Sequence, residues 1–251
     1  MLTIEEEKLL NDVHSRVLEY LNDIDIKPNK TEKEIRSDID LTIGNNSDLN
    51  QIKVLFDKYL EHSTKTNSPQ FYNQLFSGFS TTGYIGELLA TITNNSMYTY
   101  EMSPVATLME IELLNKMSGL VGYKNGGGTF VPGGSSGNFL AMLAARHYRM
   151  PEVMSSGLFG VSPMTVFVSR DCHYSMVKSA NQLGIGMSNI IKVDVDKDGR
   201  MIPDALDQAI QVSLNSGVIP FFVGATAGTT VRGCFDPIQD IAQICKKYNI
   251  W

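Results

Sequence analysis

The sequence is short of several things, and each shortage excludes something. No apolar run approaches the roughly 18 residues that a bilayer crossing needs. The opening MLTIEEEKLL is acidic where a secretory leader is basic and then apolar. A cytoplasmic protein that does not engage membranes is the expectation. Cysteine is scarce: Cys172, Cys234 and Cys245 are odd in number, widely spaced and without a CxxC pair, so neither a metal site nor a disulfide framework is expected. Positive charge is in deficit, with 21 Lys+Arg against 27 Asp+Glu and a net charge of -6. No broad field draws a phosphate backbone, and nucleic acid is not an expected partner. Internal repeats and low-complexity tracts are lacking too. What is present is 251 residues, 43% hydrophobic and 19% charged, the balance of an ordinary globular protein.

Thr3 and Glu6 form a capping-box pattern, and Leu9, Leu10, Val13, Val17 and Leu21 recur at helical spacing, which predicts an amphipathic helix over 4–22. Residues 23–46, with Pro28, Asn29 and Gly44, read as an irregular connection, after which Ser47 is placed to cap a second amphipathic helix through residue 60. Helices are expected over 85–92 and 104–120. From there the chain takes up an α/β rhythm. Strands are predicted at 129–131, 165–169, 190–195 and 218–225, each followed by a helix, at 138–149, 174–183, 203–214 and 237–248. Short apolar runs alternating with helical stretches predict a mostly parallel sheet flanked by helices.

In such a sheet, ligands bind beyond the carboxyl ends of the strands. Three loops there carry chemistry. Gly133-Gly134-Ser135-Ser136-Gly137-Asn138 puts small residues and two hydroxyls at a helix N-terminus, which suits a phosphate; a plain turn is the simpler reading. The same segment matches GxSxG with Ser135 central, the pattern of a nucleophile elbow, yet no well-spaced acid and histidine follow it. His173, after the 165–169 strand, could stack on an aromatic cofactor or sit in an ordinary loop. The third loop, 225–230, ends in paired threonines, which offer hydroxyls to a ligand and are common in turns.

Longer stretches are more specific: QFYNQLFSG (70–78), MYTYEMSPVATLMEIELL (97–114), VPGGSSGN (131–138), DCHYSMVKSA (171–180), GRMIPDAL (199–206) and VGATAGTTVRGCFDPIQDIAQICKKYNIW (223–251). From about residue 47 onward, in order, the chain resembles the group II pyridoxal-phosphate-dependent decarboxylases, and within them the glutamate, cysteine sulfinate and aspartate decarboxylase branch. The resemblance implies pyridoxal 5'-phosphate as cofactor and a carboxy-lyase reaction on a small acidic amino acid. It implies that Gly134, Ser135 and Ser136 hold the phosphate, that His173 stacks on the pyridine ring, and that Thr230 approaches the ring or its phenolic oxygen. Gln74 would lie near the reacting centre, with His173 the other residue placed at the chemistry. Phe76 and Ser96, at positions that differ within the branch, look like the cysteine sulfinate or aspartate type; a bulky Phe76 would shorten the pocket against glutamate. Ser68 departs from the histidine common in the family.

The fold implied is the type I PLP-dependent transferase, aminotransferase-like architecture, with a helical segment over 1–62 and part of the cofactor-binding large domain over 63–251. In the family the carboxylate that holds the ring nitrogen and the Schiff-base lysine both follow the sequence matching 246–251. The expectation is therefore an amino-terminal part of the enzyme, inactive in isolation and a homodimer when complete. Two other readings stand beside it: a serine hydrolase using Ser135, and a non-catalytic truncated remnant that pairs with a full-length subunit.

Overall fold

The computed structural model describes residues 1–26, 29–42, 44, 48–73, 75, 78–124 and 126–251. The chain divides into two compact units, Met1–Thr107 and Leu108–Trp251.

In the first unit, helix α1 spans Ile4–Asn22 and begins at the predicted capping box: the Thr3 side chain accepts from the Glu6 amide, and Glu6 returns a carboxylate to the Thr3 amide. Those bonds hold the Glu6 carboxyl below its ordinary range. A short helix α2, Glu32–Asp38, lies where an irregular connection was expected; Thr31 and Glu34 form a second capping box there. Helix α3 spans Leu49–His62 and is capped by Asp48, which accepts from the Gln51 amide; the expected cap, Ser47, lies outside the described residues. Ion pairs tie α1 to α3, Lys53 to Asp12 at 2.6 Å and Arg16 to Asp57 at 2.7 Å. The Lys65 ammonium donates to the carbonyls of Tyr20 and Asp23 at the end of α1, where the helix dipole favours a cation. Lys58 and His62 converge on Asp38 and hold its carboxyl below the ordinary carboxylate range. Helix α4 follows at Thr81–Thr93, and α5 runs over Pro104–Leu120, the predicted span, with its residues from Leu108 onward belonging to the second unit. Among the described residues, no residue of α1 to α5 is buried as a whole, although the His62 side chain of α3 is enclosed.

The second unit holds the core. Helix α6, Gly134–Arg149, and the short α7, Val153–Ser156, precede strand β1, Met164–Ser169. Then come α8 (Ser175–Gln182), β2 (Ile190–Val193), α9 (Pro203–Asn215), β3 (Ile219–Gly224) and α10 (Ile238–Tyr248). Among the described residues the strands form one parallel sheet in the order β2-β1-β3. Val166 and Val168 of β1 face one cluster with Met142, Ala145 and Ala180, while Phe167 faces the other with Leu206, Ile210 and Ile241. The period of two along β1 thus feeds helical layers on both faces.

Three expectations fail locally. Residues 129–131 are not a strand: Phe130 is exposed, the stretch is short, and no strand pairs with it among the described residues. Helix α6 starts at Gly134 rather than at Asn138, because Gly133 takes a φ of 93°, open to glycine, and its carbonyl accepts from the Ser136 and Gly137 amides. The strand predicted over 190–195 ends at Val193, and Val195 makes an isolated antiparallel bridge to Met201.

The loop after β3 is fastened from below. Asp236, 4% exposed, accepts the Met201 amide and the Thr226 amide, each at 2.7 Å. Phe167→Ala is expected to lower the unfolding free energy by about 3–5 kcal/mol in urea titration, since it empties the middle of a two-sided core. Asp236→Ala should cost about 2–4 kcal/mol by stranding two buried amides, with faster hydrogen exchange at Met201 and Thr226. A loss below about 1 kcal/mol would mean that water replaces the carboxylate.

Candidate functional site

The carboxyl ends of β1 and β3 open on a cavity whose walls include His173, Thr226, Thr230 and Arg232. His173 stands four residues after the end of β1, in the turn that starts α8, and its ring lies 4.2 Å, centroid to centroid, from that of Tyr174. Thr230 sits in a tight loop. Gly228 and Thr229 donate to the Cys234 carbonyl, Gly233 donates back to Thr229, and the Asp236 amide donates to Thr226 at 2.9 Å. Arg232 reaches Asp171 at 3.3 Å across the mouth of the cavity. Burial pushes the neighbouring Cys172 thiol up, so it stays protonated near neutrality.

The glycine-serine segment is the first turn of α6. Gly133 offers no side-chain cap. The amides of Gly134 and Ser135, and the Ser135 hydroxyl, have no partner among the described residues; the Ser136 hydroxyl makes only a long contact, 3.5 Å, to the Pro132 carbonyl. This turn is bonded to the His173 turn by one side chain: Asn138 Nδ2 donates to Ser175 Oγ at 2.8 Å, and Ser175 Oγ lies 2.7 Å from His173 Nδ1. Of the predicted residues, Gly134, Ser135 and Ser136 lie in the first turn of α6, which the Asn138–Ser175 bond joins to the turn that holds His173, and Thr230 shares the cavity of His173.

Ser96 lies in the first unit, exposed, with its hydroxyl accepting from the Tyr98 amide at 3.4 Å. Gln74 and Phe76 lie outside the described residues. The nucleophile-elbow reading of Ser135 finds no base: its hydroxyl meets no histidine among the described residues, and His173 Nδ1 is held by Ser175. Asn138, Ser175 and Asp236 were not singled out from sequence. The His-x-Ser spacing was a usable signal for Ser175, because a histidine at a turn bonds readily to the residue two ahead; Asp236 had none, since its partners are backbone amides distant in sequence.

The pattern of the pyridoxal-dependent decarboxylase conserved domain matches residues 31–251. Cysteine sulfinic acid decarboxylase of Mus musculus is 44% identical over 192 residues, covering 76% of this chain and 39% of that protein. Acidic amino acid decarboxylase GADL1 of Bos taurus is also 44% identical over 192 residues, covering 76% of this chain and 37% of its own length. The chain thus spans about two-fifths of the length of the curated relatives it matches. The crystal structure of mouse CSAD superposes with a TM-score of 0.93 at 38% identity, over 98% of this chain and 53% of that one. The parallel sheet flanked by helices is the type I fold of that structure, and by the domain match and these relatives the chain belongs to the pyridoxal-dependent decarboxylase family.

Proposed function

We propose that this chain forms the phosphate- and ring-holding part of a pyridoxal-phosphate-dependent carboxy-lyase acting on a small acidic amino acid, cysteine sulfinate or aspartate in preference to glutamate. The observation that carries the reading is the joining of unpartnered donors at the start of α6 to the His173 and Thr230 cavity. The donor set fits the group: two free amides and two serine hydroxyls on a helix N-terminus match a phosphate dianion. An exposed imidazole and a threonine hydroxyl match a polar aromatic ring.

When bound, pyridoxal phosphate supplies a carbonyl for the substrate amine and a ring that takes up the electron pair released with carbon dioxide. The chain's own residues bind and orient. The Gly134 and Ser135 amides and the Ser135 and Ser136 hydroxyls would donate to the phosphate, His173 would stack on the ring, and Thr230 would offer its hydroxyl to it. By the resemblance alone, Gln74 would serve near the reacting centre, and Phe76 and Ser96 would bound the substrate side chain. No lysine is among the described residues that line the cavity. The resemblance assigns neither the lysine that would carry the cofactor nor the carboxylate that would keep the ring nitrogen protonated to any residue named above, and the 251-residue chain by itself is proposed to bind without turning over.

Residues 1–62 are proposed as a helical segment and 63–251 as part of the cofactor domain of a cytoplasmic homodimer. Support for the dimer comes from apolar side chains left uncovered, among them Leu89 and Ile92 of α4 and Met109 and Leu113 of α5. No helix is long and apolar enough to cross a membrane among the described residues.

Equilibrium dialysis of the 251-residue chain should show pyridoxal phosphate binding at least about tenfold more tightly than pyridoxal, because the helix N-terminus holds the phosphate; equal affinities would sink the reading. In a full-length protein containing this stretch, kcat/KM by carbon dioxide release should favour aspartate and cysteine sulfinate over glutamate by about tenfold or more, the worth of one methylene in a closed pocket. Phe76→Ala should narrow that gap, and an unchanged ratio would remove Phe76 from the specificity argument.

A further inference from the structure

The hydrogen bonds at His173 run in one direction. The backbone N–H of Ser175 donates to His173 Nδ1 at 3.2 Å, and the Ser175 hydroxyl lies 2.7 Å from the same nitrogen. A backbone N–H cannot become an acceptor, so Nδ1 presents a lone pair and the neutral ring carries its proton on Nε2. The opposite direction, from an Nδ1 proton through Ser175 to the Asn138 oxygen, would set two hydrogens against each other at Nδ1. With the Ser175 hydrogen committed to the ring, the Ser175 oxygen must accept, and Asn138 Nδ2 donates to it at 2.8 Å. Ser175 is 1% exposed, which keeps water from substituting for either bond. Asn138 stands one helical turn beyond Gly134, on the turn assigned to the phosphate.

We infer that Asn138 and Ser175 are positioning residues: a relay from Asn138 through Ser175 reinforces the tautomer that the Ser175 amide sets, holds the ring plane of His173, and ties both to the phosphate-holding turn of α6. The use of the relay rests on the cofactor reading above, while its direction does not. It leaves the Nε2 proton facing away from the relay as a fixed donor, and it makes the ring's orientation depend on the first turns of a helix rather than on a loop.

The test is nitrogen NMR of the full 251-residue chain labelled with 15N-histidine, whose four histidines are assigned by loss of one signal in His173→Gln. His173 is expected as the Nε2–H tautomer in the free protein. Asn138→Asp changes no volume but replaces a donor by an acceptor, so the Ser175 hydrogen is divided between two acceptors. Ser175→Ala removes that hydrogen. Each should raise the Nδ1–H share at least about fivefold, the worth of one hydrogen bond, and Ser175→Ala should weaken pyridoxal phosphate binding by about tenfold. An Nδ1–H ring in the unsubstituted chain, or a tautomer balance unmoved in Asn138→Asp, overturns the relay. Should Ser175→Ala fail to fold, Asn138→Asp decides alone. If the tautomers behave as expected but pyridoxal phosphate leaves the His173 signals unmoved, the cofactor reading falls and the relay stands; if the cofactor moves them and the tautomers ignore both variants, the reverse holds.

Discussion

Strand β1 is enclosed on every side. It is paired along one edge with β2 and along the other with β3, and every residue from Met164 to Ser169 is buried. Its backbone groups are satisfied by the two neighbouring strands, and its side chains alternate between two helical layers, so no polar ligand can approach it from the side. This part of the chain meets solvent at the two ends of the strand, and its carboxyl end lies past Ser169. That constraint puts Cys172 and His173 where they are, and the crossover from β1 through α8 then has to begin in a turn at the sheet's end. The loop after β3 is delivered to the same end because the strands are parallel.

A site built on turns needs fastening that the sheet does not provide. Beyond the strand ends the backbone loses its ladder partners, and here side chains replace them. Asp236 gathers the Met201 and Thr226 amides, and so holds two separate loops with one buried carboxylate. Asn138 and Ser175 join the α6 and α8 turns in the same manner. Each fastening is partly or wholly buried, where an exchange for water is costly. The positions of Thr230 and His173 thereby follow from packed helices and strands rather than from exposed loop contacts.

Much of this was legible in sequence where the signal was periodic or local. The capping box at Thr3 and the spacing of leucines and valines marked α1, and the apolar runs at 165–169 and 190–195 marked β1 and β2. Helix α2 was missed because its seven residues are mostly charged and show no apolar stripe; only its Thr31–Glu34 cap marked it. Residues 129–131 looked like a strand on composition, but a strand exists only by pairing, and pairing is not a local property. The start of α6 was placed four residues late for a related reason: Gly133 begins the helix through a backbone angle, which leaves no mark in hydrophobic pattern. Among the candidate residues, Gly134, Ser135, Ser136, His173 and Thr230 stand out in sequence as small, hydroxyl or ring side chains in loops beyond predicted strands. Asn138 and Ser175 do not, since an asparagine and a serine in helical stretches have many ordinary explanations.

The two units divide the physical work unequally. Leu108–Trp251 has a core with Phe167, Met142 and Leu206 fully enclosed, whereas the helices of Met1–Thr107 hold one another by exposed ion pairs such as Arg16–Asp57, each worth little in water. No residue of helices α1, α3 and α4 is buried as a whole, so their pairing gains little from the hydrophobic effect within the described chain. Lys65 illustrates the kind of bond on which that unit relies: an ammonium seated over the Tyr20 ring at 3.8 Å and bonded to the last carbonyls of α1, strong locally but contributing no apolar burial. A unit that is locally capped and paired yet lacks a core gains most from covering its remaining apolar surface. The second unit, in contrast, already has at its sheet end a preformed corner of donors with the geometry to receive a small anion.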